Sequence, residues 1–241
     1  MWYDMNNNNQ NSDRNTFYNL WTQIKNSIEI KNGETEIQLP EDKMIIDDLS
    51  GEYYMKIILA GDGAVGKTSL RKRYIGEGFS TNYQQTIGAD FAIYKEQIGS
   101  FSVRFIIWDL AGQFHFHQVR AQFYRGTHGA LIVCDITNPS SFENIKHWIN
   151  ELWKNNDLGP VPFIIVGNKC DLRQAGIPSI EDERVHRIAK IINSETLKEH
   201  GFGIKSIITS AKTGAGVREA FKRLAIQVIA HQKWKEKQNG Q

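Results

Sequence analysis

Residues 61–68 could hold phosphate groups, because they follow the pattern glycine, four variable residues, glycine, lysine and then serine or threonine. These residues are Gly61, Asp62, Gly63, Ala64, Val65, Gly66, Lys67 and Thr68, and Ser69 after them is counted with the expected nucleotide contacts. The glycines let the backbone turn tightly and direct successive N–H groups towards an anion. Lys67 would reach the β and γ phosphates, and the Thr68 hydroxyl would bind Mg²⁺. The alternative is a glycine-rich turn that binds nothing.

Residues 109–113 could hold a metal ion and a water molecule. Asp109 ends an apolar segment, which places its carboxylate to bind a metal directly or through water. Gly112 can offer its N–H to a γ-phosphate with no side chain in the way, and Gln113 can orient an attacking water. The predicted catalytic groups are therefore Lys67, Gly112 and Gln113.

Two further loops could recognise a base. In Asn168-Lys169-Cys170-Asp171, the Asp171 carboxylate could accept hydrogen bonds from N1–H and the 2-amino group of guanine. Adenine lacks both donors and would leave this acceptor unpaired. In Ser210-Ala211-Lys212, the Ala211 N–H could contact the guanine O6. Each loop is commonplace alone, but their order along the chain favours a nucleotide site over a structural role.

Strands and helices must bring these loops together. The strand candidates are Tyr54–Ala60, Phe91–Gln97, Val103–Asp109, Gly129–Asp135, Pro162–Gly167 and Lys205–Thr209. The helix candidates are Ser69–Ile75, Ser141–Lys154, Glu181–Asn193 and Val217–Lys235. Strands that alternate with helices predict an α/β fold with a doubly wound, mostly parallel, six-stranded sheet and flanking helices. Ligands bind beyond the carboxyl ends of such strands, where each of the loops falls.

The composition of the 241 residues, 40% hydrophobic and 23% charged with a net charge of +2, is that of a globular protein. It indicates no nucleic-acid partner. No apolar run approaches 18 residues and no signal peptide is evident, so we expect a cytoplasmic protein. Cys134 and Cys170 end apolar runs and are expected to be buried free thiols.

Residues 1–51 form an extension that differs from the domain expected over 52–235 and the tail at 236–241. It carries four basic and nine acidic side chains, a net charge of −5, and nine asparagines. The run Asn6–Asn9 is of low complexity and typical of disorder. Apolar residues at helical spacing predict an amphipathic helix over Thr16–Ile30, which packs on the domain or contacts a partner or membrane.

With these motifs in this order, residues 52–235 resemble a small GTPase of the Ras superfamily, which has the P-loop NTPase fold. The resemblance adds Thr86 to the predicted catalytic residues, because it matches the threonine that meets Mg²⁺ and the γ-phosphate. The implied metal ligands are Thr68, Thr86 and Asp109. Phe79 falls where the family stacks an aromatic ring on the base, and Tyr83 matches a tyrosine on the phosphate side.

Within the superfamily, the chain most resembles Rab proteins. The similar segments are Thr86-Ile87-Gly88-Ala89-Asp90-Phe91, Trp108-Asp109 and Phe123-Tyr124-Arg125-Gly126. In that family Phe91, Trp108 and Phe123 would be an aromatic triad that effector proteins bind. The alternative is that the three rings pack in the core.

Three features depart from the Rab pattern. Residues 233–241 contain no cysteine for a prenyl anchor, so we expect weak and reversible membrane contact at most. Leu110 replaces a threonine, and Phe114-His115-Phe116-His117 is less charged than usual, with its histidines expected at the surface or on a partner rather than on a metal. The 42 positions from Asn168 to Ser210 exceed the family length and predict an extra helix or loop.

The resemblance implies a molecular switch that hydrolyses GTP to GDP and phosphate with Mg²⁺ and presents two switch segments to effectors. Switch I, about residues 76–90, contains no Arg or Lys, so a GTPase-activating protein would have to supply an arginine, and an exchange factor is also expected. The alternative from another class is a nucleotide-locked interaction module with negligible turnover. The segment 168–171 disfavours an ATPase or kinase.

Overall fold

Six strands form one sheet in the computed structural model, which describes residues 28–31, 34–37, 52–79, 85–99, 101–113 and 117–239. The strands are β3 (Glu52–Ala60), β4 (Ala89–Ile98), β5 (Phe101–Leu110), β6 (Gly129–Asp135), β7 (Phe163–Asn168) and β8 (Lys205–Ile208). Their order across the sheet is β4-β5-β3-β6-β7-β8. Neighbours pair in parallel except β4 and β5, which are antiparallel. The predicted fold class is therefore confirmed.

The helices of the domain pack on both faces of this sheet. They are α1 (Lys67–Tyr74), α2 (His117–Tyr124), α3 (Pro139–Glu143), α4 (Ile145–Asn155), α5 (Asp171–Gln174), α6 (Asp182–His200) and α7 (Val217–Asn239). One core cluster lies under α1 and most of α7, and a second lies under α2, α3, α4, α6 and the part of α7 that contains Ala230 and Trp234. β6 and β7 are buried along their whole length because helices cover both of their faces.

Two helix predictions differ from the structure. The helix predicted over 141–154 is two helices, because Pro139 starts α3 early and Asn144 ends it. The Asn138 side chain caps α3 by accepting a bond of 3.1 Å from Ser140 N–H. The helix predicted over 181–193 is longer in the structure, because α6 runs to His200, where Gly201 ends it in a left-handed conformation with φ of 71°. The long segment between 168 and 210 also contains α5.

The predicted helix over 16–30 is wrong at its C-terminal end. β1 (Ile28–Lys31) pairs antiparallel with β2 (Glu34–Ile37) in a separate two-stranded sheet. Isoleucines alternate with glutamates there, and β-branched residues favour strands over helices. Residues 16–27 of that prediction lie outside the described residues, as does the asparagine run at 6–9.

Both cysteines are free thiols, but Cys134 is buried whereas Cys170 is half-buried, so the predicted burial is right for the first of them. Within the described ranges, no helix is long and apolar enough to cross a membrane.

Candidate nucleotide-binding and catalytic site

The loops after β3, β5, β7 and β8 surround a cavity of about 650 Å³ at the carboxyl ends of the strands. Among the predicted site residues, Gly63, Ala64, Gly66, Lys67, Thr68, Ser69, Phe79, Thr86, Gly112, Gln113, Asn168, Lys169, Asp171, Ala211 and Lys212 line it. Gly61, Val65, Asp109 and Ser210 are buried, and Asp62 is half-buried. Tyr83 lies outside the described residues. The cavity thus brings together residues that are up to 149 positions apart in the sequence, from Gly63 to Lys212.

The phosphate loop needs its last glycine for two reasons. Gly66 has φ of 99°, and a Cβ atom there would lie 2.4 Å from Asn168 Nδ2. α1 begins at the next residue, so the unbonded N–H groups of its first turn are available to an anion.

Lys67 is a buried ammonium held by backbone oxygens. Its Nζ donates bonds of 2.7 Å to the carbonyl oxygens of Gly61 and of Asp62, and the residue is 6% exposed. Burial lowers the pKa of Lys67 to about 8, against the opposing charges of Asp109 and Asp62. A phosphate group would supply the anion that this desolvated cation lacks.

Three oxygen donors meet beside Lys67. Thr68 Oγ1 donates to Asp109 Oδ2 and lies 3.2 Å from Thr86 Oγ1. Asp109 is fully buried, and its Oδ1 has no hydrogen-bond partner among the described residues. Burial raises the pKa of Asp109 above its ordinary value, although the Thr68 hydrogen bond and the Lys67 charge oppose this.

This donor set fits Mg²⁺, which prefers oxygen ligands and one or two carboxylates. The unpaired Asp109 oxygen is the kind of buried acceptor that a cation satisfies. Within the described residues there is no cluster of three or more His, Cys, Asp or Glu side chains that could hold a metal. Phosphate oxygens and water would therefore complete any coordination at Thr68, Thr86 and Asp109.

The loop after β5 presses against the phosphate loop. A Cβ atom at Gly112 would lie 2.4 Å from the carbonyl carbon of Asp62 and 2.5 Å from Gly63 N, so a side chain cannot fit there. The Gln113 side chain lies over the phosphate loop, because a Cβ atom at Gly63 would be 3.7 Å from its Nε2. Its Oε1 is buried without a hydrogen-bond partner in the described part of the chain.

Asn168 ties the base loops to the phosphate loop. Its Nδ2 donates to Val65 O at 2.9 Å, and its Oδ1 accepts bonds from Thr209 Oγ1 at 3.0 Å and Ala211 N at 3.2 Å. Asn168 therefore connects the phosphate loop to the loop after β8 and also lines the cavity.

Asp171 and Lys169 are each fixed by one partner. Asp171 Oδ1 accepts a bond of 2.6 Å from Ser210 Oγ, and Ser210 Oγ accepts one of 3.1 Å from Thr213 N–H. Lys169 has φ of 71° and pairs with Asp135 at 2.6 Å. These contacts hold the Asp171 carboxylate at the cavity wall beside the Ala211 loop.

Comparison with known proteins agrees with this geometry. The family model of the Ras family matches residues 56–230. The chain belongs to the Ras family. It is 37% identical to Ras-related protein Rab-8B of Homo sapiens over 178 aligned residues. These residues cover 74% of this chain and 80% of that protein. It is 35% identical over 178 residues to Ras-related protein Rab-13 of Mesocricetus auratus, covering 74% and 81%.

Ras-related protein RABA5b of Arabidopsis thaliana is 44% identical over 136 residues, which cover 56% of this chain and 62% of that protein. Together these relatives confirm the predicted resemblance, and the chain is a Rab-like small GTPase of the Ras superfamily.

In this Rab-like small GTPase, a buried ion pair that the sequence did not indicate supports the Gln113 loop. Arg120 Nη1 donates to Ala111 O at 3.0 Å and to Gln113 O at 2.5 Å. Its Nε and Nη2 bond both carboxylate oxygens of Glu151 at 2.7 and 2.8 Å, and Tyr124 donates to the same carboxylate at 3.1 Å. Although burial acts to raise it, Arg120 holds the pKa of Glu151 below its ordinary value.

Other contacts of the GTPase hold the phosphate loop and the Ala211 loop against neighbouring helices. The sequence did not predict these contacts either. Asp62 accepts bonds from Asn144 Nδ2 at 2.8 Å and from Trp148 Nε1 at 2.7 Å, which fix the phosphate loop to α4. Arg73 Nε donates to Ala211 O at 2.8 Å, which fixes the base loop to α1, and its Nη2 donates to Lys212 O.

The three aromatic residues of the predicted triad form one row across β4, β5 and α2 of the GTPase. The ring centroids of Phe91 and Trp108 lie 5.1 Å apart, and those of Trp108 and Phe123 lie 5.2 Å apart. Phe91 is 53% exposed, whereas Trp108 and Phe123 are half-buried and pack against the core. The row therefore combines a core contact with an exposed aromatic surface.

Proposed function

We propose that this Rab-like small GTPase is a switch that binds GTP, hydrolyses it to GDP and phosphate with Mg²⁺, and acts in intracellular signalling or vesicle trafficking. The observation that carries the proposal is the presence of Lys67, Gln113 and Asp171 in the lining of one cavity. The first suits a phosphate, the second a water molecule, and the third a guanine.

Catalysis would come from position and charge. Lys67 and the N–H groups of the phosphate loop would stabilise negative charge on the phosphoryl oxygens, and Gln113 would align the attacking water. The buried Oε1 of Gln113 offers an acceptor for a proton of that water. Mg²⁺ bound by Thr68, Thr86 and Asp109 would neutralise phosphate charge.

Arg71 does not change the expectation that a partner supplies a catalytic arginine. It reaches the cavity from α1, but its Nη2 pairs with Asp90 Oδ2 at 2.6 Å. A GTPase-activating protein would then accelerate hydrolysis about 10⁵-fold, as it does for Ras, which equals about 7 kcal/mol of transition-state stabilisation. An exchange factor would release GDP.

Effector proteins would bind the row of Phe91, Trp108 and Phe123 when the γ-phosphate holds Thr86 and Gly112 in place. The catalytic unit would be residues 52–235, with 1–51 as an extension and 236–241 as a tail. We place the protein in the cytoplasm with weak membrane contact at most, in keeping with its two free thiols.

Single-turnover hydrolysis tests the proposal. The unmodified protein should hydrolyse GTP at about 10⁻⁴ to 10⁻³ s⁻¹, the range of a Ras-type site without a cis arginine. Gln113→Leu should lower this rate further with nearly unchanged GTP affinity. Gln122→Leu, at an exposed position of α2, is the control and should keep the rate.

Equal rates for the two variants would remove Gln113 from the mechanism. A rate above about 1 s⁻¹ without a partner would require a catalytic group outside this account. A complete lack of turnover, with GTP still bound, would instead favour the nucleotide-locked module.

A further inference from the structure

One face of α4 contacts the partners that hold two loops of the cavity, the phosphate loop and the Gln113 loop. Asn144, at the start of α4, Trp148 and Glu151 are spaced by four and three positions, which places them on the same side of the helix. Trp148 is 1% exposed and Glu151 9%, so this side of α4 faces the domain. We call these three residues the anchor face.

The anchor face holds the phosphate loop through Asp62. Asn144 Nδ2 donates to Asp62 Oδ2 at 2.8 Å, and Trp148 Nε1 donates to Asp62 Oδ1 at 2.7 Å. Because each carboxylate oxygen has its own donor, the two bonds fix the orientation of the carboxylate as well as its position. The carbonyl oxygen of the same residue accepts a bond of 2.7 Å from Lys67 Nζ. The position of Asp62 therefore affects the ammonium that would stabilise the phosphates.

The anchor face holds the Gln113 loop through Arg120. The Arg120 side chain is fully buried, and its Cζ lies 4.6 Å from the centroid of the Trp148 ring. Its Nε and Nη2 bond to the two carboxylate oxygens of Glu151, and this bidentate pairing fixes the plane of the guanidinium. The remaining nitrogen, Nη1, bonds to Ala111 O at 3.0 Å and to Gln113 O at 2.5 Å. Arg120 thus connects α4 to the backbone of the Gln113 loop.

The two loops also approach each other directly. A Cβ atom at Gly63 would lie 3.7 Å from Gln113 Nε2, and one at Gly112 would lie 2.4 Å from the carbonyl carbon of Asp62. A shift of one loop against the other by about 1 Å would move Gln113 relative to the phosphates, and misplacement on that scale can cost about 10²-fold in rate.

Stability of the fold alone does not account for the buried ion pair of Arg120 and Glu151. Taking two charges out of water costs free energy, and apolar side chains of similar volume often stabilise a domain as well as a buried pair does. Apolar groups cannot donate hydrogen bonds to carbonyl oxygens, whereas Arg120 donates two to the Gln113 loop. The pair is therefore better suited to placing that loop than to stabilising the core.

We propose that Asn144, Trp148 and Glu151 are positioning residues for GTP hydrolysis. The anchor face sets the place of Gln113 relative to the phosphate loop, and it acts through Asp62 on one loop and Arg120 on the other. None of its three residues is among those that line the cavity. The proposal rests on the proposed function, because it requires a reaction that depends on Gln113.

Glu151→Gln in the full chain tests the connection to Gln113. The amide keeps the size of the side chain but has a single acceptor oxygen, so it breaks one of the two bonds to Arg120. The single-turnover rate of GTP hydrolysis should fall about tenfold, while the dissociation constant for GTP should change less than about threefold. Glu219→Gln, in the Arg223–Glu219 pair on α7, is the control and should change neither quantity.

The same change in the Gln113→Leu protein separates positioning from damage to the fold. Because Glu151 acts through Gln113, Glu151→Gln should lower the rate of the Gln113→Leu protein by less than about twofold. A tenfold fall in both proteins would overturn the proposal, as would an unchanged rate in the Glu151→Gln single variant. If the unmodified protein hydrolysed GTP at a rate that does not depend on Gln113, the proposed function itself would be wrong, and the positioning role with it.

Asn144→Ala tests whether one face holds both loops. It removes one of the two bonds to Asp62 and should lower the rate about fivefold, whereas Asn150→Ala, exposed on α4, should not. Asn144→Ala combined with Glu151→Gln should lower the rate by less than the product of the two separate effects, because either change already lets the loops shift against each other. A full product would show two independent supports and would overturn the common anchor.

Trp148→Phe keeps the proposal testable if Glu151→Gln does not fold. It retains an aromatic ring and loses the Nε1 donor to Asp62, so the rate should fall about tenfold, with urea unfolding to confirm that the variant is folded. Trp153→Phe is the matched control on the same helix, because its Nε1 donates to Val161 O at 3.4 Å, and it should keep the rate. Equal rates for the two tryptophan variants would overturn the proposal.

Discussion

The base side and the phosphate side of the cavity differ in how the protein satisfies their polar groups. On the base side, Asn168 makes three hydrogen bonds to Val65, Thr209 and Ala211, and Asp171 is bonded to Ser210. On the phosphate side, Asp109 Oδ1 and Gln113 Oε1 are buried without partners among the described residues. Lys67 is buried there with a pKa lowered to about 8.

This difference indicates which side responds to the ligand. A network whose members already bond one another is rigid before a base arrives. Buried acceptors and a desolvated ammonium would instead gain partners from an ion and phosphates, so we expect the bound and unbound states to differ most on that side. The phosphate side also contains Thr86 and Gly112, the contacts through which a γ-phosphate would control the switch segments.

The largest effect should come from Lys67→Met. GTP affinity should fall at least about 10³-fold, equal to about 4 kcal/mol, because the buried charge facing the phosphates is lost. The free energy of unfolding without nucleotide should change by less than about 1 kcal/mol, since relief of desolvation offsets two lost hydrogen bonds. Titration calorimetry and urea unfolding measure the two quantities, with exposed Lys146→Met as the control.

If Lys67→Met destabilised the fold strongly while binding GTP normally, the phosphate side would be built for structure and the contrast between the two sides would be lost.

Asn168→Ala should have the opposite signature. It leaves Val65 O, Thr209 Oγ1 and Ala211 N without their shared partner, so the free energy of unfolding without nucleotide should fall by about 3 kcal/mol, at about 1 kcal/mol per bond. Asn150→Ala, exposed on α4, should change it by less than about 0.5 kcal/mol. A loss below about 1 kcal/mol for Asn168→Ala would show that the base side is not held together by this residue.

His231 lies on α7 and belongs to neither side of the cavity. Its effect on the pH dependence of stability must therefore be separated from that of the cavity residues. It packs against Phe202 and Trp234, and burial lowers its pKa to about 3. Because the unfolded chain binds a proton below about pH 6.5 and the folded one does not, stability falls as the pH is lowered through that value, by about 2 kcal/mol at pH 5.

The variant His231→Leu should lose most of this slope between pH 7 and pH 5, as measured by urea unfolding. Burial also lowers the pKa of His128, which therefore contributes a slope of the same sign to both proteins. An unchanged slope in the variant would assign the acid sensitivity to other groups, including those of the cavity.

The sequence predicted the strands and the loops of the cavity because each follows a local pattern. In each case an apolar run comes directly before a glycine or an acid. Gly61 follows the run that ends at Ala60, and Asp109 follows the apolar residues of its own strand. Arg120 with Glu151, Asp62 with Trp148 and Arg73 with Ala211 have no such pattern. These partners are 31, 86 and 138 positions apart, and only the fold brings them together.

The helix predicted to Ile30 failed for a different reason. Ile28 continues the helical spacing of Phe17, Leu20 and Ile24, but Ile28 and Ile30 also alternate with Glu29 as a strand requires. Pairing with β2 stabilises the strand, and that pairing is not a local property of the segment.

The central claim is a guanine-specific GTPase site. Its most direct test is competition binding of GTP, ATP and xanthosine triphosphate (XTP) to the unmodified protein and to Asp171→Asn. ATP should bind the unmodified protein at least about 30-fold more weakly than GTP, since a mismatched buried acceptor costs about 2 to 5 kcal/mol. Asp171→Asn should lower the affinity for GTP by a similar factor and raise the affinity for XTP. Asp182→Asn on α6 is the control and should change neither affinity. ATP that competes as well as GTP on the unmodified protein would contradict the account.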